Sequence, residues 1–305
     1  MAAVTAGWMR AVHVPLPAAR VLVRRVVRPV LGTRLTPARQ RQVLDTLMRF
    51  AVLPEGTVRS AATLGGVPAE RIVTAASNPS RALLYLHGGA YLVGSPVTHR
   101  AVAAHLAHAT GAVAHVLDYR LAPEHPYPAA VDDALAAYRA LLDSGLTPEQ
   151  VVVAGDSAGG GLTLALALRA RSVGVPLPAA LGLISPWVDL SLTGLDETVD
   201  DPLLSLPWLE LGASSYAGSS VALPEVSPLH ADLTGLPPLF VHAASDEMIL
   251  PVVESFVAAA RSAGVDVTYE RLEGHWHVTH LFAGMVREAT DVVQQLGGWL
   301  RGALA

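Results

Sequence analysis

The stretch Val151-Val152-Val153-Ala154-Gly155-Asp156-Ser157-Ala158-Gly159-Gly160 decides the reading of this chain. Three valines and an alanine make a short apolar run of the kind that forms a buried strand. An alanine- and leucine-rich stretch from Ala158 to Ser172 then reads as a helix. Between them lies G-x-S-x-G, in the strand-to-helix setting where that pattern has meaning. The turn must be so sharp that the serine takes strained backbone angles and the residues two away lack side chains. Its hydroxyl is then lifted above the strand end, near the positive end of the following helix. Ser157 is therefore the candidate nucleophile, and Asp156 beside it points elsewhere and holds structure.

Working outward, short β-rich runs alternate with helical ones from about residue 55. Strands are expected at Ile72-Val73, 82–86, 113–117, 151–154, 180–184, 239–242 and 267–271. Helices are expected over 98–110, 129–142, 158–172, 251–263 and 282–304. This alternation predicts an α/β fold with a mostly parallel central sheet flanked by helices. Two stretches break the rhythm. Residues 1–50 read as a helical cap segment. Residues 191–238, rich in Leu, Pro, Gly and Ser, are too long for a plain connection and are expected to join the cap. Residues 51–305 are expected to form the catalytic domain.

A second motif, His87-Gly88-Gly89-Ala90, follows the strand over 82–86. Acyl transfer builds negative charge on the carbonyl oxygen, and that charge needs donors already in place. The N–H groups of Gly88, Gly89 and Ala158 are the expected oxyanion hole. One such donor is typically worth about 3–4 kcal/mol of barrier.

Four motifs in order, His87-Gly88-Gly89-Ala90, Asp118-Tyr119-Arg120-Leu121-Ala122-Pro123-Glu124, Gly155 to Gly160 and Ser185-Pro186-Trp187, resemble those of the bacterial hormone-sensitive-lipase-like esterases. The resemblance covers about residues 55–305. It implies an α/β-hydrolase fold with a helical cap and a serine carboxylesterase acting on short- to medium-chain esters or lactones. It implies no cofactor, a cytoplasmic location and, in many relatives, a homodimer. It also places the acid at Asp246 and the base at His277, three residues after Gly274. The chain departs from the family in two places. The second acidic residue of the usual Asp-Pro-Leu neighbourhood is missing from Asp246-Glu247-Met248-Ile249-Leu250, which leaves Glu247 as the alternative acid. Ala90 replaces the third glycine of the commoner form. His275 competes with His277 as base. The chain order Ser157, Asp246, His277 is that of α/β hydrolases.

Other features hold structure or exclude classes. Asp118, Arg120 and Glu124 read as charges bracing the oxyanion loop. Tyr91, Trp187, Trp208, Tyr216 and Trp276 are the aromatic candidates for a substrate pocket. His275, His277 and His280 lack a good zinc spacing and an interleaved acid, so no metal is expected. The net charge of -5 and pI near 6.2 offer no basis for binding nucleic acid. With no cysteine, disulfides, thiolate metal sites and a cysteine nucleophile are excluded. Arginines interrupt the apolar N-terminus, which argues against a signal peptide or a membrane span. Amphipathic helices are the simpler reading there, and a basic membrane-surface helix is the other. Three rivals remain for function: an amidase or peptidase with the same triad, a silent receptor on a hydrolase scaffold, and a membrane-surface lipase resting on the apolar N-terminus. The strand over 267–271 is a candidate sheet edge for pairing with a second copy.

Overall fold

A computed structural model describes residues 13–305. The expectations that touch residues 1–12 lie outside them. Eight strands form one sheet: β1 (Val58–Leu64), β2 (Val67–Val73), β3 (Asn78–Leu86), β4 (Ala112–Leu117), β5 (Val151–Asp156), β6 (Ala180–Ile184), β7 (Leu239–Asp246) and β8 (Val267–Trp276). Their order across the sheet is β1-β2-β4-β3-β5-β6-β7-β8. The pairs β1–β2 and β2–β4 are antiparallel, and every other pair is parallel. Strands β5 and β6 are buried along their whole length. That burial explains their unbroken Val, Ala, Leu and Ile text, since a parallel sheet is covered on both faces.

The covering helices are α3 (Pro96–Thr110), α4 (Ala129–Asp143), α5 (Ala158–Ser172), α7 (Leu250–Ser262) and α8 (Arg287–Ala303). Helix α8 starts five residues later than the sequence pattern suggests. A 3-10 turn at Thr279–Phe282 comes first, and α8 begins after Val286. Strand β1 lies outside the expected set because its side chains are mostly exposed and its text carries little apolar signal.

The two off-rhythm stretches come together. Helix α1 (Leu16–Leu22) runs into a π-helical turn, Val23–Val27, and α2 (Pro37–Met48) follows. The 191–238 stretch holds α6 (Leu206–Tyr216). Gln40, fully buried on α2, joins them: its side-chain amide donates to the carbonyls of Gly32 and Leu35 (2.7 and 3.0 Å), and its oxygen accepts from Trp208 Nε1 on α6 (3.2 Å). Arg41 ties α2 to the body, donating to the carbonyls of Leu92 and Ala122 (both 2.7 Å) and gripping Glu124 with both guanidinium arms (3.0 and 2.8 Å). Glu124 thus braces as expected, though its partner is in the N-terminal segment. Arg120 pairs with Asp133 on α4.

Candidate active site

Ser157 sits between β5 and α5 with φ 52° and ψ −120°, angles that a non-glycine residue holds only under constraint. A Cβ on Gly155 would lie 2.3 Å from the Gly159 carbonyl oxygen, and one on Gly159 would lie 2.0 Å from that of Leu86. Both glycines are therefore steric requirements of the turn. Ser157 N–H donates to the Ile184 carbonyl and Trp187 N–H to the Ser157 carbonyl (2.8 Å each), so the neighbouring strand end clamps the strained residue.

Asp156 faces away from the nucleophile's role and bolts the oxyanion loop. Its Oδ1 accepts from Tyr85 Oη (2.7 Å) and from Gly88 N–H (3.1 Å), and His99 Nε2 lies 3.3 Å from Oδ2. Burial works to raise its pKa, but His99 and Tyr85 outweigh it and hold the carboxyl below the usual range. His87 stacks on Tyr119 at 4.2 Å, and Tyr119 Oη donates to the His87 carbonyl (2.6 Å). Burial pushes the His87 imidazole down to about 3, so it packs as a neutral ring.

These contacts correct the expected oxyanion set. Gly88 N–H is already spent on Asp156. Gly89 and Ala90, with φ of 120° and 54°, turn the loop sharply, and neither N–H has an acceptor among the described residues. Ala158 N–H belongs to the first turn of α5, where no intrahelical acceptor exists. The donors left over are those of Gly89, Ala90 and Ala158.

The carboxylate that meets His277 is Glu247 rather than the expected Asp246. His277, 2% exposed, places Nδ1 2.7 Å from Glu247 Oε2, and Glu247 is fully buried. Glu247 Oε1 also accepts from Ala244 N–H (3.0 Å). Asp246 turns the other way: Oδ2 lies 2.6 Å from Arg20 NH1, and Oδ1 accepts from Ser245 Oγ (2.7 Å). Successive side chains at a strand end point to opposite sides, so only one of the two carboxylates can meet His277. Burial lowers the pKa of His277, but the hydrogen bond and charge of Glu247, with Asp201 and Asp156 behind it, raise it above the ordinary imidazole value. His277 Nε2 is buried and has no partner among the described residues. His275 only reaches the Glu273 carbonyl, and His280 pairs with His242 (3.0 Å) behind the site.

Ser157 and His277 line one cavity of about 80 Å³. Of the five expected pocket aromatics, Trp208 and Trp276 line it and Tyr91, Trp187 and Tyr216 do not. Tyr91 and Tyr216 stack flat on each other at 3.7 Å, and Trp187 is buried with its ring tip against Gly212 of α6. Sequence reasoning missed the walls that the N-terminal segment supplies: Val23, Val27 and Leu31, then Leu44 and Met48. Their four-residue spacing was the available signal, since residues four apart share a helix face. It also missed Asp201, whose carboxylate accepts from the N–H groups of Leu203 and Leu204 (2.8 and 2.9 Å) and of Met248 (3.2 Å). Asp201 thereby couples the cavity wall to the loop that carries Glu247.

The sequence profile of a family described as having the alpha/beta hydrolase fold matches residues 83–281. An acetyl-hydrolase of Streptomyces hygroscopicus is 42% identical over 255 residues, covering 82% of this chain and 84% of that protein. An esterase of Acinetobacter venetianus is 36% identical over 281 residues, covering 90% and 92%. The crystal structure of an esterase from the bacterial hormone-sensitive lipase family matches with a TM-score of 0.89 at 36% identity, covering 95% of this chain and 98% of that one. A strained serine between two obligatory glycines, a buried carboxylate–histidine pair and these likenesses agree: the chain belongs to the α/β-hydrolase family, among the hormone-sensitive-lipase-like esterases, and is a serine carboxylesterase.

Proposed function

We propose that the enzyme hydrolyses short-chain carboxylic esters through a Ser157–His277–Glu247 triad and an acyl-enzyme intermediate. The observation that carries this reading is His277, buried with Glu247 on Nδ1 and with Nε2 unpartnered in a cavity shared with Ser157. His277 takes the proton of Ser157 as the hydroxyl attacks the ester carbonyl, and returns it to the departing alkoxide. Glu247 keeps the Nδ1–H tautomer in place and stabilises the imidazolium. Gly89, Ala90 and Ala158 N–H groups receive the oxyanion, with the N-terminus of α5 behind them. A water activated by the same histidine then releases the acid.

The N-terminal helices and the 191–238 segment act as one lid. Val23, Val27, Leu44, Met48, Leu203 and Leu204 from these two stretches narrow the cavity, which favours a short apolar acyl group. The Streptomyces relative's name, acetyl-hydrolase, supports the same chain length. Nothing in the triad separates ester from amide, and the better leaving group of an ester favours the ester.

Hydrolysis of p-nitrophenyl esters from acetate to palmitate, with Ser157→Ala in parallel, tests this. The optimum is expected at acetate or butyrate, with the variant down about a millionfold in turnover. A folded wild type inert on the whole series would refute the reading.

A further inference from the structure

The outer side of the lid carries a surface that hydrolysis of a small ester does not use. Residues 1–50 contain nine arginines and a single acidic residue, Asp45, a net charge of +8. Against −5 for the whole chain, this leaves the body at −13. Arg20, Arg24 and Arg41 are occupied by Asp246, Asp200 and Glu124. Arg25, Arg34 and Arg49 are exposed and have no acidic partner among the described residues. Asp45, the one acidic residue of the segment, forms no ion pair with them among the described residues; its carboxylate accepts from Ser95 Oγ at 2.6 Å.

The same N-terminal segment also exposes apolar side chains. Five of the eight large hydrophobic side chains exposed among the described residues are Val21, Leu22, Val26, Leu47 and Phe50. Phe50 is 73% exposed, with the Arg49 guanidinium 4.5 Å over its ring. On α1 and the π-turn, Ala19, Val23 and Val27 face inward, whereas Val21, Leu22, Arg25 and Val26 face out. A helix packed on one side and bathed in water on the other should be polar outside. This one is apolar on both sides, with arginine set into the outer side, the pattern of a helix lying in a lipid headgroup layer.

We propose that this lid face docks onto an anionic lipid bilayer surface. Exposed arginines meet phosphate headgroups while the valines, Leu22 and Phe50 enter the acyl boundary. The acidic body is repelled by the same surface, so the charge asymmetry orients the molecule lid-first. The lid roofs the cavity of Ser157, and docking brings its entrance toward the lipid. A second copy would have to set this face against an acidic body, head to tail, which builds a ring or an open filament rather than a two-fold dimer. The face is apolar as well as basic, which suits lipid better.

The test is co-sedimentation of the full chain with phosphatidylcholine vesicles, with and without phosphatidylglycerol, at low salt and at about 0.5 M salt. Binding is expected with phosphatidylglycerol only, and is expected to weaken in salt. The triple variant Arg25→Glu, Arg34→Glu, Arg49→Glu should bind at least about tenfold more weakly. The triple variant Val21→Ser, Leu22→Ser, Val26→Ser should lose most binding even at low salt. Both variants should hydrolyse p-nitrophenyl acetate like wild type, and Ser157→Ala should bind vesicles like wild type, so the proposal stands or falls apart from the catalytic reading. Wild type left in the supernatant with anionic vesicles, equal binding to neutral ones, or charge-reversed protein that binds unchanged would overturn it. So would wild-type oligomers, seen by light scattering, that the Val21→Ser, Leu22→Ser, Val26→Ser variant disperses while vesicle binding is absent.

Discussion

Two turns at the carboxyl ends of the parallel strands build the site, and they are determined differently. At the β5–α5 turn, the geometry follows from residues within five positions: Gly155, Ser157 and Gly159 permit one close approach to Leu86, and a Cβ would destroy it. At the end of β7, two carboxylates stand side by side, and local chemistry does not choose between them. The choice comes from partners far away in sequence. Arg20 takes Asp246 and His277 takes Glu247. A steric constraint is local, whereas a choice between equivalent charges belongs to whatever packs against them.

The contrast can be broken at either turn. The largest effect is expected for Glu247→Gln, which leaves the shape but removes the charge on His277 and disturbs its tautomer. Turnover should fall about ten-thousandfold. Retention of near wild-type turnover on p-nitrophenyl acetate would return the acid role to Asp246. At the other turn, Gly159→Ala must displace the Leu86 or His87 backbone, each an unyielding neighbour. A loss of about 3 kcal/mol in denaturant-unfolding stability is expected, at the upper end of overpacking costs.

The pH profile sharpens the comparison more gently. As the proposed base, His277 would act only when neutral, and Glu247 raises its pKa above 6.5. The acid limb of kcat/KM should therefore lie above pH 6.5 in wild type. In the residual activity of Glu247→Gln, where burial acts without the carboxylate, the limb should move to lower pH. A limb that stays in place would show that Glu247 does not govern the base. The same pair contributes to stability below the unfolded value, and that contribution is lost as pH rises through the raised folded value.

The smallest effect is expected for Asp246→Asn. Its partner Arg20 and its own side chain are both about a third exposed, at 31% and 32%, and such pairs are worth about 0–1 kcal/mol. Turnover should change less than about tenfold, with any loss shared by Arg20→Gln and suppressed in high salt. A loss matching that of Glu247→Gln would place Asp246 in the triad.

Much of the fold is legible because parallel strands buried on both faces must be written in unbroken Val, Leu, Ile and Ala. Helix α5 and strand β6 fall where the pattern puts them. Strand β1 escapes because an exposed edge strand needs no such text. Tyr91, Trp187 and Tyr216 mislead because aromatic identity does not say whether a ring faces a cavity or another ring. Tyr91 and Tyr216 face each other. Gly88 misleads because a glycine beside the strand reads as a free donor until Asp156 is seen to occupy its N–H.

By itself the sequence determined the α/β architecture and the serine on its strained turn, and it pointed to His277 and to the loop after β3. The architecture and the turn rest on periodicity and sterics within a short span of chain, whereas His277 rests on the resemblance of the motifs. Only the tertiary structure decided which carboxylate bonds to His277, which N–H groups of the loop are left without an acceptor and which helices wall the cavity. Those outcomes depend on Arg20, Asp156, Val23 and Met48 meeting residues up to 226 positions away, and long-range packing alone brings such groups into contact.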